Sequence, residues 1–308
     1  MSVSVIVASL NEGEHLRRTI DNLIATLPAG GEIVVVDDGS ADHSCDFLVG
    51  GYEGVTLLRP SERLGVARAR NFGAERARED IFVFSDAHVK APPGWIDPLL
   101  ALLSRAETGA VAPAIGIMRP TPVESTGYGQ KWRDATLDID WLARTKSEPY
   151  PVPLLGGGFL VMRRDVFAAI EGFDSGMIVW GSEDAELSLR LWTLGYECWV
   201  APGVEVEHFF RPRYPYDVGW EPVLHNKLRL ANVHFGPERL GRVEERLKQY
   251  AAFRAASARL AAGDVEARAS RMRSLRRYDD DWFFRKFEKE LRCELSDAPH
   301  ERALPSAP

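Results

Sequence analysis

Residues 81–88 read Ile-Phe-Val-Phe-Ser-Asp-Ala-His, an apolar run that ends in an acid and an imidazole. The four apolar residues 81–84 predict a buried β-strand. Asp86 and His88 are two positions apart, and side chains at that spacing point to the same side of an extended segment. One carboxylate oxygen and one imidazole nitrogen suit a divalent ion such as Mn²⁺. The alternative is that Asp86 caps a turn and His88 lies on the surface.

Strands and helices alternate on the N-terminal side of this segment. The predicted elements there are strands at 3–8, 33–36 and 55–58 and helices at 14–27 and 66–77. Their order is typical of an α/β protein with a parallel, doubly wound sheet. Ligands of such sheets bind at the carboxyl ends of the strands. Asp37 and Asp38 follow one predicted strand, so we expect them at the same sheet edge as Asp86 and His88.

The C-terminal side of the segment holds further candidates for a site. Gly156, Gly157 and Gly158 form a turn that leads into a predicted strand. Trp180 precedes the acids Glu183 and Asp184, which stand just before a helix predicted at 185–194. Two short strands, at 198–201 and 204–206, lead to His208, a candidate third ligand beside Asp86 and His88. From Glu221 onward the chain is predicted to be helical.

The composition restricts the function. The chain has 308 residues, 45% of them hydrophobic, enough for one large domain or for a domain with an appendage. Its net charge of −7 argues against general nucleic-acid binding. Cys45, Cys198 and Cys293 form no metal-ligand or disulfide pattern, so a cytoplasmic location is expected. Residues 3–10 are apolar but short and follow no basic stretch, so we do not expect them to act as a signal peptide, and no apolar run is as long as a membrane span.

The segment 221–296 is basic and has several possible roles. It is a candidate for shaping an acceptor site, for a contact between copies in a homo-oligomer, or for peripheral contact with anionic lipid. A solvated helical face is the simplest interpretation of its charge pattern. The final segment, 297–308, is rich in Pro, Ala and Ser and is expected to be a disordered tail.

An ordered set of motifs resembles the GT-A fold glycosyltransferases of family 2, and the second half is especially similar to the polypeptide N-acetylgalactosaminyltransferases. The motifs are SLNE (9–12), VDDGS (36–40), RLGVARAR (63–70), SDAH (85–88), GGG (156–158), WGSEDAELSLR (180–190) and HFFRPRYPY (208–216). The resemblance implies a Rossmann-like, nucleotide-diphospho-sugar transferase domain over 1–220, followed by a helical extension over 221–296. It also implies that residues 211–220 form a loop that closes over the donor.

The resemblance further implies a metal-dependent transfer of sugar from a UDP-sugar to an unidentified acceptor hydroxyl, on a peptide or a glycan for example. Mn²⁺ or Mg²⁺ would be held by Asp86, His88 and His208 and would stabilise the charge of the departing diphosphate. The residues assigned to donor binding are Ser9, Glu12, Asp37, Asp38, Arg63, Arg68, Asp86, Gly157, Gly158 and Trp180. Arg70 is a further candidate to donate hydrogen bonds near the nucleotide, and the alternative is that two of the three arginines lie on the solvated surface.

Structural alternatives stand beside these assignments. Asp37 and Asp38 are also typical of an Asp-Gly turn, and Trp180 is also a plausible core residue. His208 has Glu205 and Glu207 near it in the sequence as ordinary partners.

Glu183 and Asp184 are the predicted catalytic residues. By resemblance to family 2, Asp184 acts as the general base that deprotonates the acceptor, which leads to inversion at the sugar. The polypeptide N-acetylgalactosaminyltransferases retain configuration and carry asparagine at this position, so a retaining reaction is the alternative. A purely structural role in capping the helix also stays open.

Two other function classes were compared with this one. A sugar nucleotidyltransferase needs a basic, glycine-rich phosphate loop after the first strand, but residues 11–14 read Asn-Glu-Gly-Glu and would repel a triphosphate. A non-catalytic nucleotide-sugar-binding protein is disfavoured because both the ligand set and the acid pair are intact.

Overall fold

A computed structural model of the chain describes residues 2–118, 126–211 and 214–291. Its main sheet has nine strands in the order β3-β2-β1-β4-β10-β6-β11-β5, with β9 paired to β11. The strands are β1 (Val3–Ser9), β2 (Glu32–Asp37), β3 (Val55–Leu58), β4 (Ile81–Asp86), β5 (Val89–Lys90), β6 (Thr108–Ile117), β9 (Tyr150–Pro151), β10 (Phe159–Arg163) and β11 (Glu197–His208). A separate hairpin pairs β7 (Gln130–Trp132) with β8 (Ile139–Trp141).

The predicted parallel arrangement is correct for the strands from β3 to β4 and for the pair β6 and β11, and wrong where β10, β5 and β9 join the sheet. Strands β3, β2, β1 and β4 are parallel neighbours. Strand β10, however, runs antiparallel to both β4 and β6. The sheet is therefore mixed, because the chain enters β10 from the glycine turn at the edge where the carboxyl ends of the parallel strands lie.

Ten α-helices accompany the strands in the described ranges. They are α1 (Glu14–Thr26), α2 (Val66–Ala74), α3 (Ile96–Leu103), α4 (Arg164–Ala169), α5 (Glu183–Leu194), α6 (Trp220–His234), α7 (Pro237–Leu247), α8 (Phe253–Ala261), α9 (Val265–Leu275) and α10 (Asp280–Lys286). No helix among residues 2–118, 126–211 and 214–291 has the length and apolar character needed to cross a bilayer.

Two hydrophobic clusters cover the two faces of the sheet. On β4, Phe82 and Phe84 belong to one cluster, and Ile81 and Val83 belong to the other, as expected from the alternation of side chains along a strand. The first cluster continues into the C-terminal helices, for example at Phe283. The helical character predicted for 221–296 is therefore present from α6 to the end of α10 at Lys286, and these helices share a core with the sheet.

The remaining predictions on organisation stay as predictions. The division into a domain at 1–220 and a helical region rests on the sequence alone. The same holds for a homo-oligomer, for peripheral membrane contact and for the cytoplasmic location. The tail predicted at 297–308 lies outside the described residues.

Candidate functional site

An open cavity of about 360 Å³ lies at the carboxyl end of the parallel strands. Most of the residues predicted to form a site line it. Those in the lining are Ser9, Glu12, Asp38, Arg63, Asp86, His88, Gly157, Gly158, Trp180, Glu183, Asp184 and His208.

Asp86, His88 and His208 converge at the base of this cavity. Their potential ligand atoms all lie within 4.8 Å of one another. Asp86 Oδ2 is 3.1 Å from His208 Nε2 and 4.0 Å from His88 Nε2. Glu205 and Glu207 do not pair with His208, because the first accepts a hydrogen bond from Thr126 and the second pairs with Lys90.

Strand pairing, and not the predicted extended i, i+2 geometry, brings the three residues together. Asp86 ends β4, and the chain bends before β5 begins at Val89. Strand β11 pairs antiparallel with β5 and places His208 opposite Val89. This pairing puts His208 beside His88, 120 positions earlier in the chain, with the two ring centroids 4.6 Å apart.

The chemistry of this triad fits a divalent cation. Burial by itself raises the pKa of Asp86, but the hydrogen bond to His208 and the charge of Arg70 outweigh it and lower this pKa well below its ordinary value. Asp86 is therefore an ionised oxygen ligand at neutral pH. His88 Nδ1 lies 3.1 Å from Glu12 Oε2, an outer contact that orients an imidazole ligand, and Arg211 also bonds to Glu12.

Of the two arginines on α2, Arg70 and not Arg68 lies inside the site. Arg68 was assigned to donor binding, but it is 41% exposed and pairs with Glu62 outside the cavity lining. Arg70 is buried and donates to Asp86 Oδ1 at 2.9 Å and to the carbonyl oxygen of Gly157 at 2.7 Å. Both arginines belong to one sequence motif and lie on α2. They are two positions apart, so their side chains point to different sides of the helix.

The two aspartates after β2 have different surroundings. Asp38 lines the cavity, and its carboxylate accepts hydrogen bonds from the backbone N–H groups of Leu64 and Gly65. Burial raises its pKa, against the lowering effect of those two bonds. Asp37 is outside the lining and bonds to Arg59 at 2.9 Å. Asp37 Oδ1 also accepts from the Ser40 N–H at 2.9 Å, so Asp37 stabilises the turn, and the donor contact predicted for it stays a prediction.

Glu183 and Asp184 are the first two residues of α5, which begins two residues earlier than the predicted helix. Asp184 Oδ2 accepts from the Gly157 N–H at 2.8 Å, and its Oδ1 accepts from the Ala185 N–H. Glu183 Oε1 is 3.4 Å from Arg70 Nη1. Burial, together with the charge of the neighbouring Asp184 and against the charge of Arg70, raises the pKa of Glu183 to about 7. Burial also raises the pKa of Asp184.

A cluster of aromatic rings lies over the opposite wall. Trp180 is half-buried, and its ring centroid is 4.8 Å from that of Tyr214. Tyr214 in turn contacts Tyr216, and Arg63 lies over the Tyr216 ring. The loop predicted at 211–220 therefore stands against the cavity at residues 211, 214 and 216, and residues 212–213 lie outside the described ranges.

The raised pKa of Glu183 predicts a pH-dependent stability. Between its ordinary value of 4.5 and about 7, the folded chain holds a proton on Glu183 that the unfolded chain has released. The free energy of unfolding should therefore fall as the pH rises through this window, and the contribution should be constant above it. Glu183→Gln should flatten that part of the profile in urea unfolding of the metal-free protein. An unchanged slope would show that Glu183 ionises normally.

Comparison with known proteins relates this geometry to two family models. The model described as glycosyl transferase family 2 matches residues 4–170, more than half of the 308-residue chain. The model described as N-terminal domain of galactosyltransferase matches residues 142–214. Between them, these matches include every element that contributes a side chain to the triad and the acid pair.

Curated relatives extend the similarity to the C-terminal helices. Polypeptide N-acetylgalactosaminyltransferase 11 of Xenopus tropicalis is 31% identical over 302 residues, covering 91% of this chain and 49% of the relative. Putative polypeptide N-acetylgalactosaminyltransferase 13 of Drosophila melanogaster is 29% identical over 330 residues, covering 96% of this chain and 58% of the relative. The chain thus spans about half the length of these relatives.

Among solved structures, GalNAc-T7 with UDP, GalNAc and Mn²⁺ superposes with a TM-score of 0.78 at 24% identity, over 94% of this chain and 57% of that one. A mannosyltransferase of Pyrobaculum calidifontis with GDP-Man and Mn²⁺ has a TM-score of 0.54 at 20% identity, over 95% of this chain and 83% of that one. These similarities confirm the predicted GT-A fold with its helical extension.

Proposed function

The chain belongs to glycosyl transferase family 2, and on this premise we propose that it transfers a sugar from a UDP-sugar to an acceptor hydroxyl in a reaction that depends on Mn²⁺. The single observation that carries the proposal is the convergence of Asp86, His88 and His208 in a cavity that also holds an acid pair. The names of the relatives favour N-acetylgalactosamine as the sugar. Mg²⁺ is the alternative cation.

Different residues of the cavity are proposed to bind different parts of the donor. A divalent ion on Asp86, His88 and His208 would supply Lewis-acid stabilisation of the leaving diphosphate. Asp38 stands at the nucleoside end and accepts hydrogen bonds from the Leu64 and Gly65 backbone. Glycines 157 and 158 let the backbone come close to the reacting centre, and Trp180 offers a ring face to the sugar.

Asp184 is the proposed base, and inversion is the expected stereochemical outcome. Its carboxylate faces the cavity beside Gly157, and burial raises its pKa toward the working range of a general base. The alternative, a retaining reaction, is favoured by the relatives named as polypeptide N-acetylgalactosaminyltransferases. It is also favoured because both oxygens of Asp184 already accept backbone hydrogen bonds.

A two-stage experiment tests the proposal. A thermal-shift screen of UDP-sugars and GDP-sugars, each with and without Mn²⁺, should show stabilisation by a UDP-sugar that needs the metal. Turnover with a peptide and glycan acceptor panel, followed by NMR of the product anomer, then separates inversion from retention. Stabilisation by UDP with no turnover on any donor would favour the non-catalytic binding protein. Stabilisation by no nucleotide sugar would contradict the proposal.

Gly158→Ala should weaken metal binding although it replaces none of the three proposed ligands. A Cβ at position 158 would stand 2.9 Å from His208 Cδ2 and 3.4 Å from Asp86 Oδ2, so the imidazole has to move. We expect about a tenfold loss of Mn²⁺ affinity, the size of effect that follows from disturbing a ligand's orientation. Gly203→Ala is the matched control, because nothing lies within 4 Å of its Cβ. Manganese titration followed by electron paramagnetic resonance measures both, and equal affinities would show that His208 does not bind the ion.

A further inference from the structure

One buried side chain of the C-terminal helices holds the backbone segment that leads into the acid pair. Asn226 lies on α6 and is 1% exposed. Its Nδ2 donates to the carbonyl oxygens of Ile178 at 2.8 Å, Gly181 at 2.9 Å and Trp180 at 3.2 Å. Its Oδ1 accepts from the N–H of Ile178 at 2.9 Å. Asn226 thus bonds to three of four consecutive residues.

The held segment, residues 178–182, has an unfavourable backbone conformation. Val179 has φ 52° and Ser182 has φ 67°. Positive φ is rare for residues other than glycine, and for a β-branched residue it is an outlier. Such conformations persist where the surrounding structure over-determines them. The contacts of Asn226, together with the bond from the Val66 N–H to the Val179 carbonyl at 2.9 Å, satisfy all four carbonyls from 178 to 181.

The amide group is required here in one orientation. Asn226 Oδ1 also lies 3.1 Å from Nδ1 of the neighbouring His225. A reversed amide would place its NH₂ against the Ile178 N–H and its oxygen against three carbonyls. A carboxylate has no donor to offer those carbonyls. Only a side chain with both a donor and an acceptor at this distance from the backbone can form these hydrogen bonds with residues 178–181.

We infer that Asn226 is a positioning residue for the sugar-binding end of the donor site. The inference rests on the function proposed above. Trp180 and Gly181 line the cavity, and the Gly181 N–H donates to Glu183 Oε2 at 3.0 Å. The held segment therefore fixes the position of the Trp180 ring and of the Glu183 carboxylate. The nucleoside end, at Asp38, is held by a separate pair of backbone bonds. The C-terminal helices therefore contribute to donor selection through this contact.

The test compares Asn226→Asp with Asn232→Asp. Asn232 is on the same helix, and the bond that its Nδ2 makes to a described residue lies within the helix, to the Leu228 carbonyl at 2.8 Å. Calorimetric titration with Mn²⁺ present should show that Asn226→Asp binds UDP about as the parent does. The variant should lose the extra affinity that the parent shows for UDP-N-acetylgalactosamine over UDP. Its kcat/KM should fall about 100-fold, a typical cost of a 1 Å misplacement near the chemistry. Asn232→Asp should match the parent.

A second measurement keeps the inference testable without activity. Hydrogen exchange of a peptide covering 176–184 should be faster in Asn226→Asp and in Asn226→Ala, with exchange in the rest of α6 unchanged. Equal exchange and equal kcat/KM in variant and parent would overturn the inference. Parallel losses of UDP and UDP-sugar affinity, with a lower Tm, would also overturn it, because they indicate general destabilisation. A parent protein that binds no UDP would instead contradict the proposed function, and the exchange result would still stand.

Discussion

His208→Ala is expected to abolish Mn²⁺-dependent binding of UDP. His208 supplies one of three candidate ligand atoms, and its Nε2 is 3.1 Å from Asp86 Oδ2. Disturbing only an outer contact of a metal ligand typically costs about 10–100-fold in affinity, so the loss of a ligand itself should cost at least about 100-fold. Calorimetric titration of UDP at several Mn²⁺ concentrations measures the effect directly.

The fold should survive this substitution, which makes the result interpretable. Among the described residues, His208 Nδ1 has no hydrogen-bond partner, so the ring has few structural bonds to lose. Without metal, the Tm of the variant should stay close to that of the parent. His43→Ala is the matched control, because the His43 side chain is 83% exposed and its partner in the described part of the chain is the surface residue Asp46. If His208→Ala keeps the parent's dependence on Mn²⁺, His208 is not a ligand and the proposed centre is wrong.

The sequence predicted those parts of the site that depend on local pattern. An apolar run followed by an acid is enough to place Asp86 at the carboxyl end of a strand, because strand length and burial are set locally. Strand β11 shows the corresponding failure. It was predicted as two short strands, but it is a single strand, Glu197–His208, with an irregular register between Ala201 and Glu205. The apolar pattern is interrupted between Ala201 and Val204 because the strand has a bulge there, and not because it ends.

The parts that failed depend on contacts between distant segments. Strand β6 lies centrally between β10 and β11 but was not predicted, since six of the ten residues in its buried run Thr108–Ile117 are alanine, glycine or proline, which are depleted in strands. Asn226 was missed as well. A lone asparagine in a charged helix gives no signal that its amide reaches three carbonyls 45 to 48 positions earlier. Arg70 was among the candidates, and helical phase was the signal that could have separated it from Arg68, since Ala67 and Ala74, three and four residues away, share its buried face.

Asp184→Asn is expected to remove sugar transfer while UDP-sugar binding is retained. If the carboxylate deprotonates the acceptor, its loss should lower kcat by about 10²–10⁴-fold, the usual contribution of a general base. The amide is nearly isosteric, so the cavity keeps its shape. It can accept only one of the two backbone bonds that the carboxylate accepts now, from Gly157 and Ala185. Part of the loss of kcat will therefore come from the missing backbone hydrogen bond. For this reason UDP-sugar binding has to be measured separately from turnover.

Two controls distinguish the loss of the general base from the loss of a backbone hydrogen bond in the turn. Asp97→Asn removes an acid from the first turn of another helix, at an exposed position, and should leave kcat unchanged. The parent's kcat should fall as the pH drops through the pKa of Asp184, which burial raises above 3.8, because only the ionised form accepts a proton. That acidic limb should be absent from the residual activity of Asp184→Asn. Full activity in the variant, or a product that retains the donor's anomeric configuration, would rule out Asp184 as the base of an inverting reaction.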